Sequence, residues 1–386
     1  MRIGYFTNTY LPIIYGSTNS VEYFRKGLEL LGHEVFVFAP TFKGFVDTNE
    51  KVNRYPSIPW KYKIDYPIAL SIWPSMRSRI GKLNLDVIHC HQPFSIGQEG
   101  LRQARKNNCP VVFTHHCRYE DYVHYIPLGL AASMLRRYVK KKATWFANQC
   151  DQVIAPSQTI KTLIQERGVN KPIEVLPTGI NWDKFQAADR QKIRKKYGIK
   201  EEDILLLNIG RMEEEKNIQF LFDIALEILK EERNVKLMMV GDGSIKDSLS
   251  RRSIQAGLAK NVFFPGLIPQ DEIADYYSAG DIFLHTSKSE TQGMTINEAM
   301  SVGVPTVAIE ATGAIDMIEN GVNGILTDDS KNEFKKMVEK LIKNRILRVE
   351  LGSAAREKSK KYDFKNQARR LEEIYIDLID HKKDHL

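Results

Sequence analysis

The chain has 386 residues, 42% of them hydrophobic and 27% charged, which fits two ordinary globular domains with sizeable cores and excludes a disordered or fibrous class. No run reaches the ~18 uninterrupted apolar residues of a membrane span, and Cys90, Cys109, Cys117 and Cys150 have neither CxxC nor zinc-like spacing, so they read as reduced thiols of a cytoplasmic protein. The net charge of +8 is uneven: residues 1–178 carry 23 Lys+Arg against 13 Asp+Glu, the remainder 33 against 35, and a basic half suits nucleic acid, an anionic membrane or an anionic small molecule.

The chain opens directly on a strand, Arg2–Phe6, with no charged-then-apolar leader. A helix over Val21–Leu31 and a strand over Glu34–Ala39 follow. Further strands are predicted at Asp86–His89, Val111–Thr114, Gln152–Ala155 and Ile173–Leu176, with a long basic helix near Leu128–Asn148. Pro177-Thr178-Gly179 breaks the pattern and reads as a linker. The alternation then restarts with strands at Ile204–Ile209, Lys236–Val240, Val262–Phe264, Ile282–His285 and Thr306–Ala308. Helices separate them at Ile218–Lys230, Ile245–Ala256, Glu272–Ser278 and Thr295–Val302, and the chain ends in helices at Glu333–Lys343 and Asn366–Ile379. Such alternation predicts α/β architecture with two doubly wound parallel sheets facing a cleft. The expected domains are 1–178 and 179–361, with 362–386 a helix packing back on the first. Ligands in such sheets bind at the carboxyl ends of the strands.

Several charged and small residues lie at those ends. Glu290 and Glu298 bracket Thr-Gln-Gly-Met-Thr-Ile-Asn between the Asp281–His285 strand and the following helix. Gly293 permits close backbone approach, and the Met294 and Thr295 amides open a helix N-terminus that suits phosphate. Carboxylates suit sugar hydroxyls, which donate hydrogen bonds. Together these features suggest a nucleotide sugar, against the alternative of an ordinary loop Glu and a solvated helical Glu. Arg211 ends the Ile204–Ile209 strand and Lys216 opens the next helix, so two cations could hold a diphosphate. The chain has no Asp-x-Asp, and Arg and Lys would then stand where other sites place a metal. The plainer alternative pairs Arg211 with Glu213 or Glu214 on a solvated turn. Gly16 lies between the first strand and helix, without a complete G-x-G-x-x-G.

His115 and His116 end the Val111–Thr114 strand, where a histidine can hydrogen-bond a substrate or move a proton. A satisfied structural histidine is the alternative for either. His89 and His91 point the same way from one strand, but no third ligand is spaced nearby, so no metal site is read. On the Leu128–Asn148 helix, Arg136, Arg137, Lys140 and Lys141 share one sector, with Leu135, Tyr138, Val139 and Phe146 largely elsewhere. That helix could rest on an anionic bilayer, or be an outer helix with a basic solvated face. Trp60, Tyr62, Tyr66 and Trp73, interleaved with Lys61 and Lys63, suit an interfacial loop. Clustered aromatic–basic motifs of nucleic-acid binders are missing.

Taken together, Phe6-Thr7-Asn8-Thr9-Tyr10-Leu11-Pro12, His89-Cys90-His91, Gly210-Arg211, Glu215-Lys216-Asn217 and the Glu290–Glu298 element resemble the retaining glycosyltransferases of family 4. The resemblance spans essentially the whole chain and implies the GT-B architecture of two Rossmann-like domains. Residues 114–127, from Thr114-His115-His116-Cys117 to Ile126-Pro127, and 289–295 look like enzymes that glucosylate diacylglycerol. The resemblance implies that Glu290 holds hydroxyls of the donor sugar and Glu298 the ribose hydroxyls. Arg211 and Lys216 would bind the diphosphate, the Gly293–Thr295 amides the sugar or phosphate, and Gly16 would line the acceptor side. His116 takes the catalytic-histidine position. For the acceptor hydroxyl, Asp121 or Glu120 is the candidate to orient it, against the alternative that either is simply a surface acid. Gln292 stands where many members have an aromatic residue, Cys117 where many have Thr, and the first loop has one glycine rather than two. These departures bear on donor choice and acceptor shape.

The implied activity is retaining transfer of glucose from UDP-glucose, with UDP-galactose the other candidate donor, to 1,2-diacylglycerol. No permanent cofactor and no metal are implied, nor a nucleic-acid partner. The implied location is cytoplasmic, peripheral on an anionic membrane surface at the inner face of the cell membrane. Polysaccharide, soluble or already glycosylated lipid acceptors stay open. So, more remotely, do a GT-B sugar-nucleotide epimerase and a basic nucleic-acid binder.

Overall fold

The computed structural model describes residues 1–384 except 14, 63 and 126–130. The chain divides into two compact units, Met1–Gly179 together with Phe364–Leu386, and Ile180–Asp363.

In the first unit the elements run β1 (Arg2–Phe6), α1 (Gly16–Leu30), β2 (Glu34–Pro40), β3 (Val52–Tyr55), β4 (Ser57–Tyr62), β5 (Ile64–Ala69), α2 (Pro74–Gly81), β6 (Val87–Cys90), α3 (Ile96–Asn107), β7 (Val111–Thr114), α4 (Ala132–Ala147), β8 (Gln152–Ala155), α5 (Gln158–Glu166) and β9 (Ile173–Val175). Seven strands form one parallel sheet in the order β3-β2-β1-β6-β7-β8-β9. Strands buried on both faces read as continuous apolar runs, and alternate residues divide between two cores. Val111 and Phe113 of β7 join one cluster, Val112 the other.

The second unit holds α6 (Trp182–Gln186), α7 (Arg190–Lys196), β10 (Ile204–Ile209), α8 (Ile218–Glu231), β11 (Val235–Val240), α9 (Lys246–Gln255), β12 (Val262–Gly266), α10 (Ile273–Ala279), β13 (Ile282–His285), α11 (Met294–Ser301), β14 (Thr306–Ile309), α12 (Ala314–Met317), β15 (Ile325–Thr327), α13 (Lys331–Lys343) and α14 (Arg345–Ser359). Its parallel sheet runs β12-β11-β10-β13-β14-β15. The chain then closes with α15 (Phe364–Lys383) in the first unit. There Leu371, Ile374 and Tyr375 bury against Tyr5, Val87, Val112 and Ile154. The approach to α1 is close because Gly27 has no side chain: a Cβ there would lie 2.4 Å from Ala368 Cβ.

Strand order reverses beside β1 and β6 in the first sheet and beside β10 and β13 in the second. Helices leaving adjacent strands then go to opposite faces, opening a crevice at the carboxyl ends. The residues that follow those strands are Gly16, His91, Arg211 and Glu290.

The structure adds elements that the sequence reading does not contain, among them β3, α2, α3, α5, α6, α7, α12 and β15, and two further segments differ in kind. The aromatic stretch after residue 56 is an antiparallel hairpin, not a loop, with Trp60 opposite Tyr66 and Pro59 opposite Pro67. Two prolines remove ladder donors and hide strands from a propensity argument. Helix α14, which the sequence reading does not contain, carries Gly352 in an otherwise helical pattern. The long basic helix is described from Ala132, so Ile126, Pro127 and Leu128 lie outside the described residues. Among the described residues no helix is long and apolar enough to cross a membrane.

Candidate active site

In the second unit the loops after β10 and β13 are tied together. Thr286 Oγ1 donates to the carbonyls of Lys216 and Asn217, at 3.3 and 3.1 Å. Lys216 ends a 3-10 turn, Glu214–Lys216, directly before α8. Its Nζ donates to Glu290 Oε1 at 2.7 Å, with both side chains largely buried. Arg211 Nη2 lies 3.0 Å from Glu215 Oε1.

Glu290 stays ionised for an identifiable reason. Burial alone would raise its carboxyl, but Lys216 and His285, then Arg211, pull it down to about 2. The buried His285 is itself held neutral, lowered to about 4 by burial. Glu290 also sits where two glycines meet. Gly293, the N-cap of α11, has φ +78°, and Gly313 has φ +83°. A Cβ on Gly313 would lie 2.8 Å from Glu290 Cβ and 3.0 Å from the Gly293 nitrogen. Both positions therefore need glycine for conformation and for space. The Ile296 and Asn297 amides both donate to the Gly293 carbonyl, placing Met294 and Thr295 in the helix's first turn, where amides lack intrahelical partners.

Glu298 is not a solvated helical residue. It is 6% exposed, and Tyr277 of α10 donates its hydroxyl to Oε2 at 2.6 Å. Burial raises its carboxyl to about 7, against the opposing hydrogen bond from Tyr277. Two carboxylates of one motif thus occupy opposite electrostatic settings, one fixed as an anion and one that titrates near neutrality.

In the first unit, Gly16 is the exposed first residue of α1, whose Tyr15 N-cap supplies no side-chain cap. His116 follows β7 and is half-buried, and burial lowers it to about 3, with the neighbouring His115 adding to the effect. Its Nε2 lies 2.8 Å from Nδ1 of the fully buried His91. His91 lies against His89, with ring centroids 4.3 Å apart. His89 is held by Tyr375 Oη at Nδ1 and Thr114 Oγ1 at Nε2, each at 2.6 Å. Asp121 is 3.1 Å from Arg118 Nε, and burial raises its carboxyl. Glu120 is buried and paired with Arg167, so it anchors the turn after His116.

On α4, Arg136, Arg137, Lys140 and Lys141 are exposed while Val139, Ala143 and Phe146 are buried. Tyr138 does not lie away from the basic sector: it is 58% exposed, with Met134 and Trp145 also outward. Lys140 lies 4.0 Å from Glu120. Trp73 is exposed, Trp60 is half-buried, and Tyr66 donates to the Asn8 carbonyl at 3.0 Å. Side chains at 61–65 lie outside the described residues, including Lys61, Tyr62 and Lys63. The hairpin and the chain after it expose Ile58, Ile68, Leu70 and Ile72.

Sequence reasoning passed over Tyr277, His285, Gly313 and Tyr375. A Gly directly after an Ala-Thr pair gives no local signal, and Tyr375 sits 286 residues from its partner His89. His91 was weighed only as a metal ligand. Among the described residues no group of three or more His, Cys, Asp or Glu could hold a metal ion.

Residues 189–358 match the family model described as glycosyl transferases group 1, and residues 14–184 match the model for glycosyltransferase family 4. The chain is 33% identical to the alpha-monoglucosyldiacylglycerol synthase of Streptococcus pneumoniae, covering 98% of this chain and 86% of the relative. It is 30% identical to the enzyme of the same name from Acholeplasma laidlawii, covering 98% of both. The crystal structure of Anabaena HepE in complex with UDP and glucose superposes with a TM-score of 0.77 at 21% identity, covering 97% of this chain and 99% of that one. That likeness is one of fold, and with the two doubly wound parallel sheets it makes the architecture GT-B.

Proposed function

The chain belongs to the family 4 glycosyltransferases, and on that premise we propose that it moves glucose from UDP-glucose to the free hydroxyl of 1,2-diacylglycerol, with retention, at a membrane surface. Near-full-length relatives named for glycolipid synthesis support a glycolipid product. The observation that carries the donor reading is the Lys216–Glu290 pair at 2.7 Å beside the start of α11. It puts an ammonium suited to a diphosphate next to an anion suited to sugar hydroxyls.

In this reading the diphosphate binds Arg211 and Lys216, whose charges offset the negative charge that grows as UDP departs. Glu290, freed from Lys216 by the phosphate, accepts hydrogen bonds from the sugar. Glu298 accepts from the ribose hydroxyls while Tyr277 occupies its second oxygen. Gly16 lines the acceptor side. The acceptor hydroxyl attacks C1 on the face from which UDP leaves. The C1–O bond to UDP breaks, the new C1–O bond forms, and the hydroxyl proton passes to a β-phosphate oxygen. Asp121 orients that hydroxyl. No resident cofactor takes part, and the two cations carry the charge a metal would otherwise carry.

The acceptor reading draws on the surface of the first unit. The exposed face of α4 interleaves Arg136, Arg137, Lys140 and Lys141 with Met134, Tyr138 and Trp145. Basic residues drawn to anionic lipid and aromatic side chains at the headgroup level suit a peripheral protein on a cytoplasmic leaflet. Trp60 and Trp73 add a second apolar contact.

A panel of UDP-glucose, UDP-galactose and GDP-mannose, each offered with diacylglycerol vesicles, tests the reading. We expect one product from UDP-glucose, an α-glucosyl diacylglycerol by mass and by its anomeric proton coupling. A β-linked product, or transfer only to a soluble or already glycosylated acceptor, overturns it.

A further inference from the structure

In the first unit, four side chains from three segments form one connected file: Tyr375 of α15, His89 of β6 and His91 just past it, and His116 after β7. Tyr375 Oη and Thr114 Oγ1 each lie 2.6 Å from a nitrogen of His89. Tyr5 packs edge-on against both His89 and His91, with centroids 5.4 and 4.7 Å away. The His91 and His116 rings are near-parallel, 25° apart, with His91 Nδ1 2.8 Å from His116 Nε2. The other nitrogen of His91, Nε2, is buried and has no hydrogen-bond partner among the described residues.

That unpartnered nitrogen decides where the protons sit. One hydrogen must lie between His91 and His116. If His116 donated it, His91 would carry its own proton on Nε2 as a buried N–H with nothing to bond. If His91 donates from Nδ1, its Nε2 is only an unused lone pair. A buried donor without an acceptor is the costlier and rarer of the two. His91 then carries its proton on Nδ1, and His116 Nε2 accepts. A neutral imidazole whose Nε2 accepts carries its own proton on Nδ1. Burial lowers both groups, which agrees with a pair that stays uncharged.

We propose that His91 is a positioning residue that fixes His116 as the neutral Nδ1–H tautomer, so that His116 serves the reaction as a hydrogen-bond donor and not as a base. The file behind it sets the orientation of His91: Tyr375 and Thr114 hold His89, and His89 and Tyr5 hold His91 by ring packing. The C-terminal helix thereby reaches the site through Tyr375. The functional part of this inference rests on the reading that His116 takes the catalytic-histidine position and meets the substrate there; the tautomer does not.

The test has one readout that needs no turnover. Histidine is labelled with 15N in the full-length protein, and the His116 signals are assigned by their loss in His116→Asn. We expect a protonated Nδ1 and an unprotonated Nε2. In His91→Asp the carboxylate can only accept, so the His116 proton moves to Nε2, and kcat falls about tenfold or more. His91→Asn, whose amide can still donate, keeps the tautomer and most of the turnover. His116 protonated on Nε2 in the unaltered protein overturns the proposal. So does a folded His91→Asp with unchanged kcat, or a His91→Asn as impaired as His91→Asp. Should the tautomer be as stated while His116→Asn turns over normally, the catalytic-histidine reading of His116 fails instead, and the two failures are told apart.

Discussion

Lys216 Nζ lies 2.7 Å from Glu290 Oε1, joining the loop after β10 to the loop after β13. The pair does two jobs that mutation can separate. Removing only the ammonium leaves a largely buried carboxylate without its counter-charge, a loss of about 1–3 kcal/mol in stability. Lys216→Met should therefore melt lower than the double variant Lys216→Met/Glu290→Gln, which leaves no charge behind. Both should lose turnover. A double variant less stable than the single would show that the pair is held by something other than charge.

Each of Arg211→Ala, Lys216→Ala and Glu290→Ala should lower kcat about 10²–10³-fold, the usual cost of one donor that stabilises charge in a transition state. Arg211 pairs with Glu215 four residues on, with both side chains half-buried, so its loss should lower the melting temperature only slightly. Circular dichroism and initial rates on diacylglycerol vesicles check the two parts. Near-normal rates in all three variants would sink the donor assignment.

Glu298 supplies a pH signature. Its folded carboxyl is raised to about 7 from an ordinary value near 4.5 in the unfolded chain. Between those values the folded state holds the extra proton, so stability falls as pH rises through that window and then levels. Glu298→Gln removes the term. The unfolding midpoint of the variant, relative to the parent, should therefore climb from pH 4.5 to about 7 and stay flat above it. Glu290 works in the opposite sense. Lowered to about 2, it contributes stability at neutral pH that is lost as pH falls from about 4.5 toward 2. A Glu298→Gln midpoint difference that is constant with pH would contradict the raised carboxyl.

Gly313 was invisible to motif reasoning, yet its missing side chain leaves the room that Glu290 occupies. In Gly313→Ala the new methyl would meet Glu290 Cβ at 2.8 Å, on a backbone with φ +83°. Gly321 is a matched control, with φ +78° and nothing within 4 Å of a built Cβ. Both alanines should cost about 1–3 kcal/mol of backbone strain. Only Gly313→Ala should also raise the donor KM, measured with UDP-glucose at saturating acceptor.

The alternation of apolar runs made the central strands of both sheets legible, because strands buried on both faces carry their signal locally, while the edge strands β3 and β15 were not read. The strands β7, β8, β10 and β13 fall where the sequence puts them. The motif from Glu290 to Glu298 was legible for the same reason: a strand, a glycine and a helix start lie within a few residues. What the sequence hid was carried by long-range contact. Tyr277 satisfying Glu298, Gly313 against Glu290 and Tyr375 behind His89 are pairs that only the folded chain brings together. The hairpin of β4 and β5 was hidden by its facing prolines. Tyr138 stood out as exposed only once the buried stripe of Val139, Ala143 and Phe146 fixed the rotation of α4.

That rotation gives the last prediction. The outward face of α4 carries Arg136, Arg137 and Lys141 beside Met134, Tyr138 and Trp145. Each basic residue near an anionic leaflet contributes about 1 kcal/mol, so the triple change Arg136→Gln/Arg137→Gln/Lys141→Gln should weaken partitioning onto anionic vesicles by about 10²-fold. Lys140 is left in place because it also lies 4.0 Å from Glu120. The triple variant should bind neutral vesicles as the parent does, since only charge has changed. Met134→Ser/Trp145→Ser should weaken binding to both kinds, since apolar contact does not depend on lipid charge. Flotation over a series of anionic-lipid fractions and salt concentrations reads both effects. Binding by the parent that is insensitive to anionic-lipid content would remove α4 from the membrane contact.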